Sequence, residues 1–228
     1  MGVWRLNLSK SYDFFKPEKY KNRIHIVGCG SVGSTVAENL ARCGVVNMTL
    51  WDFDVVEPKN LANQMFRQRD VGKPKTEALR SLLSEINPDI NEKVKLQSSG
   101  WDGQKLSGFV FLCVDNIDLR RRIVEQHMSN TFVMAMFDFR TRLEDAQHYA
   151  ADWSDLKMKE DFLASMQFTH EEAAAATPVS ACGTVLSVCP TIRTICAYGV
   201  ANFMNFWNER GLKKFIMVDA FSFGLDAF

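Results

Sequence analysis

One segment limits the fold of this chain more than any other. Gly28-Cys29-Gly30-Ser31-Val32-Gly33 spells Gly-x-Gly-x-x-Gly. Before it runs Arg23-Ile24-His25-Ile26-Val27, a short apolar stretch that stops at a glycine. After it Val36, Leu40 and Cys43 recur at helical spacing and end at Gly44. A buried strand that turns on glycines into a helix opens a nucleotide-binding β-α-β unit. The glycines allow a tight turn and close backbone approach, and the helix N-terminus offers N–H groups to a phosphate. Asp52 closes the next apolar stretch, 45–51, at about the ~20-residue distance expected for a ribose contact. The competing reading is a glycine turn that only packs the helix closely.

The alternation continues. Leu79, Leu82, Leu83 and Ile86 share one face of a helix over 71–86 that stops at Asn87-Pro88. Strands are expected at 93–98, 109–114 and 131–137, with a helix at 119–128. This pattern predicts an α/β fold, a Rossmann-like and mostly parallel sheet with helices on both faces. The second half is less regular. An antiparallel strand is expected at 144–151, a core helix at 191–207 and a final strand at 215–223. Residues 155–181 read as a mobile helical or disordered crossover, and 1–22 as an N-terminal arm. At 228 residues, the motif order favours one domain over two small ones.

Composition removes several classes. Lys+Arg and Asp+Glu are both 27, which argues against a dedicated nucleic-acid binder. The zero balance hides a local group of Arg67, Arg69, Lys73 and Lys75. No signal-peptide apolar region opens the chain. The apolar stretch 185–207 is broken by Pro190 and Arg193, so it reads as a buried helix and not as a membrane span. None of the six cysteines forms Cys-x-x-Cys, so most read as reduced core residues of a cytoplasmic protein. The four histidines do not cluster, and His25 reads as a core or edge residue.

The glycine loop and Asp52 alone would favour a nicotinamide or flavin cofactor. The following residues change that balance. Asp52-Phe53-Asp54 leads into Asn60-Leu61-Ala62-Asn63-Gln64, and Lys73 and Lys75 stand at the start of a helix. A lysine there opposes the helix dipole unless an anion binds beside it. Asp115-Asn116 follows the 109–114 strand, at the carboxyl edge where open sheets bind ligands. An aspartate beside a polyphosphate is a natural magnesium ligand.

Gly28–Gly33, Asp52–Asp54, Asn60-Leu61, Gln64, Gly72-Lys73-Pro74-Lys75 and Asp115-Asn116 with Arg120 resemble the ThiF/MoeB/HesA family. That family shares its adenylation domain with ubiquitin-activating enzymes. The resemblance covers about 20–135 and is closest to stand-alone members of phage or mobile-element type. It implies ATP and Mg2+ as cofactors, with Gly28, Gly30 and Gly33 at the phosphates and Asp52 on the ribose. It implies Asp54, Asn60, Gln64 and Lys75 along the nucleotide, and Asp115 at the metal and the α-phosphate. The activity implied is adenylation of the C-terminal glycine carboxylate of a small ubiquitin-like or sulfur-carrier protein, by a homodimer. Asn63 departs from the pattern, which carries Arg before Gln. Either Arg67 or Arg69 takes that catalytic role, or the chain is a weakened partner subunit. Arg5 is the candidate for the arginine that the family lends across the dimer. Cys182, which closes the crossover before Gly183, is the candidate nucleophile, with a packing cysteine as the alternative. Cys189 and Cys196, seven apart, read as structural. Arg121 and Arg122 read as a solvated face. A nicotinamide oxidoreductase is the remaining rival.

Overall fold

A computed structural model describes residues 5–19, 21–175, 177–179 and 186–228. In chain order the strands are β1 (Ile24–Val27), β2 (Met48–Trp51), β3 (Lys95–Gln97), β4 (Gly108–Leu112), β5 (Val133–Thr141), β6 (Asp145–Asp152), β7 (Phe215–Asp219) and β8 (Gly224–Ala227). They form one sheet in the order β3-β2-β1-β4-β5-β6-β7-β8. β1 to β5 pair in parallel and β5 to β8 antiparallel. The helices are α1 (Ser31–Arg42), α2 (Lys75–Ile86), α3 (Ile90–Lys93), α4 (Ile117–His127), α5 (Leu156–Ala164), α6 (His170–Ala175) and α7 (Cys189–Trp207).

The parallel strands are apolar on both sides because helices cover both faces. Ile24, Ile26, Phe109 and Phe111 pack with residues of α1 and α7. Val27, Val110 and Leu112 pack with Ile123 of α4 and Phe162 of α5 on the other face. Phe203 of α7 is fully buried and meets the Phe109, Phe111 and Phe137 rings edge-on at 5.1, 5.4 and 5.6 Å. Burying such a ring contributes about 2–3 kcal/mol, and each aromatic pair adds about 0.5–1.5 kcal/mol. The 185–207 stretch is therefore a core helix from 189 onward. Among the described residues no helix is long and apolar enough to cross a membrane.

One expectation changes, and two segments gain detail. The chain does not continue straight from 215 to 223. The Asp219 carboxylate accepts the N–H groups of Phe221 and Ser222, which turns the chain back into β8. Most of the 155–181 crossover is built of capped helices. Asp155 caps α5 by accepting the Met158 N–H at 3.0 Å. Thr169 and Glu172 form a reciprocal capping box at α6. Phe162 and Met166 are buried beneath this segment. Finally, the arm is docked against the end of α7. Phe15 is buried against Trp207 at 5.3 Å, and Trp207 Nε1 donates to the Lys16 carbonyl.

His25, His127 and His148 are buried. Burial pushes His25 and His148 down to about 4 and lowers His127. Each ring is held in its neutral form. His25 Nδ1 accepts the Trp51 indole N–H, and His148 accepts from Asn202 at Nε2 while donating to the Asp138 carbonyl. An unfolded histidine titrates near 6.5. Between that value and about 4 the unfolded chain binds protons that the folded chain refuses, so stability falls as pH falls. The loss for each of His25 and His148 is on the order of 2 kcal/mol by pH 5. Asp52, raised by burial, opposes this trend with a single group. Melting at pH 5 is therefore expected several degrees below melting at pH 7. A melting temperature that rises on acidification would contradict the neutral, buried assignments.

Candidate functional site

The carboxyl ends of β1, β2 and β4 meet at one edge of the sheet, since Val27 is level with Trp51 and Leu112. Three glycines make that edge. Gly28 has φ +94°, and a Cβ there would lie 2.8 Å from the Cys113 carbonyl and the Val114 nitrogen. A Cβ on Gly33 would fall 1.8 Å from the Gly28 oxygen, so the first turn of α1 rests directly on the loop. Gly30 is different, because a Cβ there meets nothing within 4 Å. It is also the N-cap of α1, without a side-chain cap and without an acidic residue in the first turn. The first turn of α1 thus has no side-chain cap and open space beside Gly30, an arrangement that can receive an anion.

Asp52 and Asp54 organise the neighbouring wall. Asp52 Oδ2 accepts the Cys29 N–H at 2.6 Å, and Oδ1 accepts the Asp54 N–H at 2.8 Å. Burial raises the Asp52 carboxyl above its ordinary value, against the pull of those two N–H groups and Lys75. Lys75 opens α2, yet its side chain is only 9% exposed. Its ammonium pairs with Asp54 Oδ2 at 2.7 Å, and its N–H donates to the Asp54 carbonyl. Asp54 is therefore the anchor of Lys75, which offsets the unfavourable dipole. Asn60 is buried and accepts the Glu57 N–H at 2.8 Å, shaping the 3-10 turn Pro58–Ala62. Gln64 keeps a buried Oε1 without a partner. Asn63 donates to Ser187 Oγ and so joins this turn to the start of α7.

Asp115 lies just beyond β4, exposed, one residue from the Val114 nitrogen that crowds Gly28. Asn116 caps α4 by accepting the Leu119 N–H at 2.9 Å. Arg120, buried, donates to the Val114 carbonyl through Nε at 2.8 Å and to Asp138 Oδ1 through Nη1 at 2.7 Å.

The expected basic group does not assemble. Arg67 and Arg69 both pair with Glu85, in the last turn of α2 and far from Lys75 at its start. Lys73 pairs with Asp70 at 3.4 Å. Glu85 is an acceptor that sequence spacing could not assign. Arg121 is not simply solvated, since its guanidinium donates to the Met166 and Phe168 carbonyls. Cys182 lies outside the described residues. Burial raises the thiols of Cys29, Cys113 and Cys196, so none is a ready thiolate. Cys189, half-buried at the start of α7, accepts from Arg193 Nε at 2.8 Å, a contact missed when the residue read as structural. Asp138 and Arg140 were missed too. Their signal is a pair of charges in an otherwise apolar strand.

Among the described residues no three of His, Cys, Asp and Glu cluster to hold a metal by themselves. One carboxylate at a phosphate site is still the usual holder of Mg2+, which keeps waters and takes its other ligands from the phosphates. The uncapped α1 turn and the Lys75 ammonium fit a nucleotide triphosphate with such an ion.

The ThiF family pattern matches residues 18–131, half of the chain. The chain is 32% identical over 139 residues to ubiquitin-like modifier-activating enzyme 5 of Culex quinquefasciatus, which covers 54% of this chain and 34% of that protein. It is 35% identical over 125 residues to molybdopterin-synthase adenylyltransferase of Haemophilus influenzae, with 51% of each covered. The chain thus spans about half or less of these relatives. The crystal structure of E. coli MccB with ATP superposes with a TM-score of 0.73 at 18% identity, over 93% of this chain and 65% of that one. At that identity the likeness concerns the fold.

Proposed function

The chain belongs to the ThiF family, and from that premise we propose that it is an ATP-dependent adenylyltransferase. Its substrate is the C-terminal carboxylate of a small ubiquitin-like or sulfur-carrier protein. The observation that carries this reading is the uncapped N-terminus of α1, open at Gly30, with Lys75 and Asp115 on the same sheet edge. An oxygen of the carboxylate attacks the α-phosphorus, the bond to the bridging oxygen of the β-phosphate breaks, and pyrophosphate leaves. Two anions must meet, so the chain must present positive potential already in place. The α1 turn and Lys75 supply it. Asp52 orients the ribose, Asn60 and Gln64 line the phosphate side, and Asp115 holds Mg2+. The ion, when bound, offsets charge on the phosphates. A carboxylate is already ionised at neutral pH and needs no general base, in keeping with three histidines held neutral in the core.

We read residues 1–228 as one adenylation domain working in a homodimer, with Arg5 reaching the partner's site and Cys182 as an acceptor of the activated acyl group. Buried thiols and the absence of charge bias fit a cytoplasmic protein that binds neither membrane nor nucleic acid. The test is pyrophosphate exchange into ATP with a glycine-terminated carrier. Exchange that depends on the carrier is expected, and exchange absent with every carboxylate partner would overturn the activity.

A second reading is a weakened partner subunit, and Asn63 favours it. Arg67 and Arg69, the candidates to replace the missing arginine, are both held by Glu85. Asn63→Arg is expected to raise exchange by roughly tenfold or more, since a guanidinium grips phosphate bidentately where an amide cannot. Unchanged exchange would mean that the site is complete without it.

A further inference from the structure

Asp138 is fully buried in β5, between Phe137 and Phe139, level with Leu112 near the end of β4. Its two oxygens serve two arginines. Oδ1 accepts from Arg120 Nη1 and Oδ2 from Arg140 Nε, both at 2.7 Å. Arg120 also donates through Nη1 to the Phe139 carbonyl at 2.7 Å, and through Nε and Nη2 to the Val114 carbonyl. Val114 is the residue before Asp115. On the other side of Asp115, Asn116 is fixed as the cap of α4. The exposed Asp115 carboxylate makes no hydrogen bond or ion pair of its own among the described residues. Its direction is therefore set by the backbone on either side, and Arg120 holds one side of that backbone.

Resting on the adenylyltransferase reading, we propose that Asp138 is a positioning residue: its buried carboxylate locks Arg120 onto the Val114 carbonyl and so aims Asp115 at the metal–phosphate position. A role in stability alone explains the arrangement less well. A buried ion pair is weak evidence for stability, because apolar replacement is often neutral. Here the guanidinium spends two of its donors on one carbonyl beside the site. The same carboxylate extends outward. Arg140 donates to the Ser165 carbonyl and hydroxyl at 2.7 and 2.8 Å and lies 4.1 Å over the Tyr149 ring. The Asp115 edge is thereby tied to the segment after α5. Among the described residues Arg140 makes no hydrogen bond to Val114, so its removal separates the two arms.

The test compares Asp138→Asn, Arg140→Gln and the apolar double variant Asp138→Leu with Arg120→Met. ATP is titrated calorimetrically in EDTA and in MgCl2, and amide hydrogen exchange is followed over 113–119 in the ligand-free protein. For Asp138→Asn, ATP affinity in EDTA is expected within about twofold of wild type, while the gain from Mg2+ shrinks at least fivefold and 113–119 exchanges faster. Arg140→Gln keeps both the Mg2+ gain and the protection of 113–119. The double variant, which leaves Arg140 without its carboxylate, does not restore the Mg2+ gain. A full Mg2+ gain with protected 113–119 in Asp138→Asn overturns the proposal, as does lowered melting with both retained. If Asp138→Asn does not fold, Arg120→Lys keeps the charge pair but cannot bridge to Val114, and it is read the same way. If the wild type binds no ATP, the adenylyltransferase reading fails, and hydrogen exchange at 113–119 alone decides the positioning role.

Discussion

Lys75→Ala is expected to lower pyrophosphate exchange by on the order of 10²–10³, the loss that follows removal of one preorganised donor from a transition state. The ammonium is buried at the start of α2 and fixed by Asp54 at 2.7 Å. It is thus in place before any anion arrives, and it reorganises little when one does. Its removal also leaves the Asp54 carboxylate unneutralised beside the phosphates. Truncating the buried Lys75 stem also removes packing, so Lys75→Met, which keeps most of the stem, is the companion variant. A large fall in exchange in both variants, with the smaller melting change in Lys75→Met, is the expected pair of results. Asp54→Asn keeps the ammonium but loosens its anchor, so its exchange should fall less than that of Lys75→Ala. Exchange at wild-type rate in Lys75→Ala would remove this residue from the site.

The second large effect separates two glycines of one loop. Gly33→Ala places a methyl 1.8 Å from the Gly28 oxygen, a backbone atom that cannot step aside. Either α1 or the loop must shift, at a cost on the order of 3 kcal/mol. For a chain of this length that is roughly 6–12 °C in melting temperature. ATP binding should be lost with the loop. Gly30→Ala meets nothing within 4 Å, so the fold should tolerate it. The methyl would instead occupy the space before the α1 N-terminus and reduce ATP affinity at least tenfold. Melting curves and calorimetric titrations on the two variants read the split. Wild-type ATP affinity in Gly30→Ala would show that the open space is not where the phosphates lie.

Much of this architecture is legible in the residues. The apolar runs at 24–27 and 109–112 read as buried parallel strands because nothing polar interrupts them, and α7 reads as core for the same reason. The glycine loop, Asp52, Lys75 and Asp115 fall on one sheet edge because each follows a parallel strand or opens a helix. What the residues did not disclose depends on partners distant in sequence. Arg67 and Arg69 read as phosphate ligands by charge alone, but Glu85 in the last turn of α2 takes both. Asp138 meets Arg120 only through the register of β5 against β4. The β7–β8 turn was hidden because Phe221 and Phe223 extend the apolar alternation, while the turn itself is made by the Asp219 side chain. The caps of α5 and α6, Asp155 and Thr169–Glu172, join residues three apart in the chain.

The claim that the Gly28 to Asp115 edge is an ATP site is tested most directly by titrating the intact chain with Mg–ATP and with NAD+ side by side. Saturable binding of Mg–ATP, lost in Lys75→Ala and without a matching signal for NAD+, is the predicted result. Tight binding of NAD+ with no binding of ATP would contradict it.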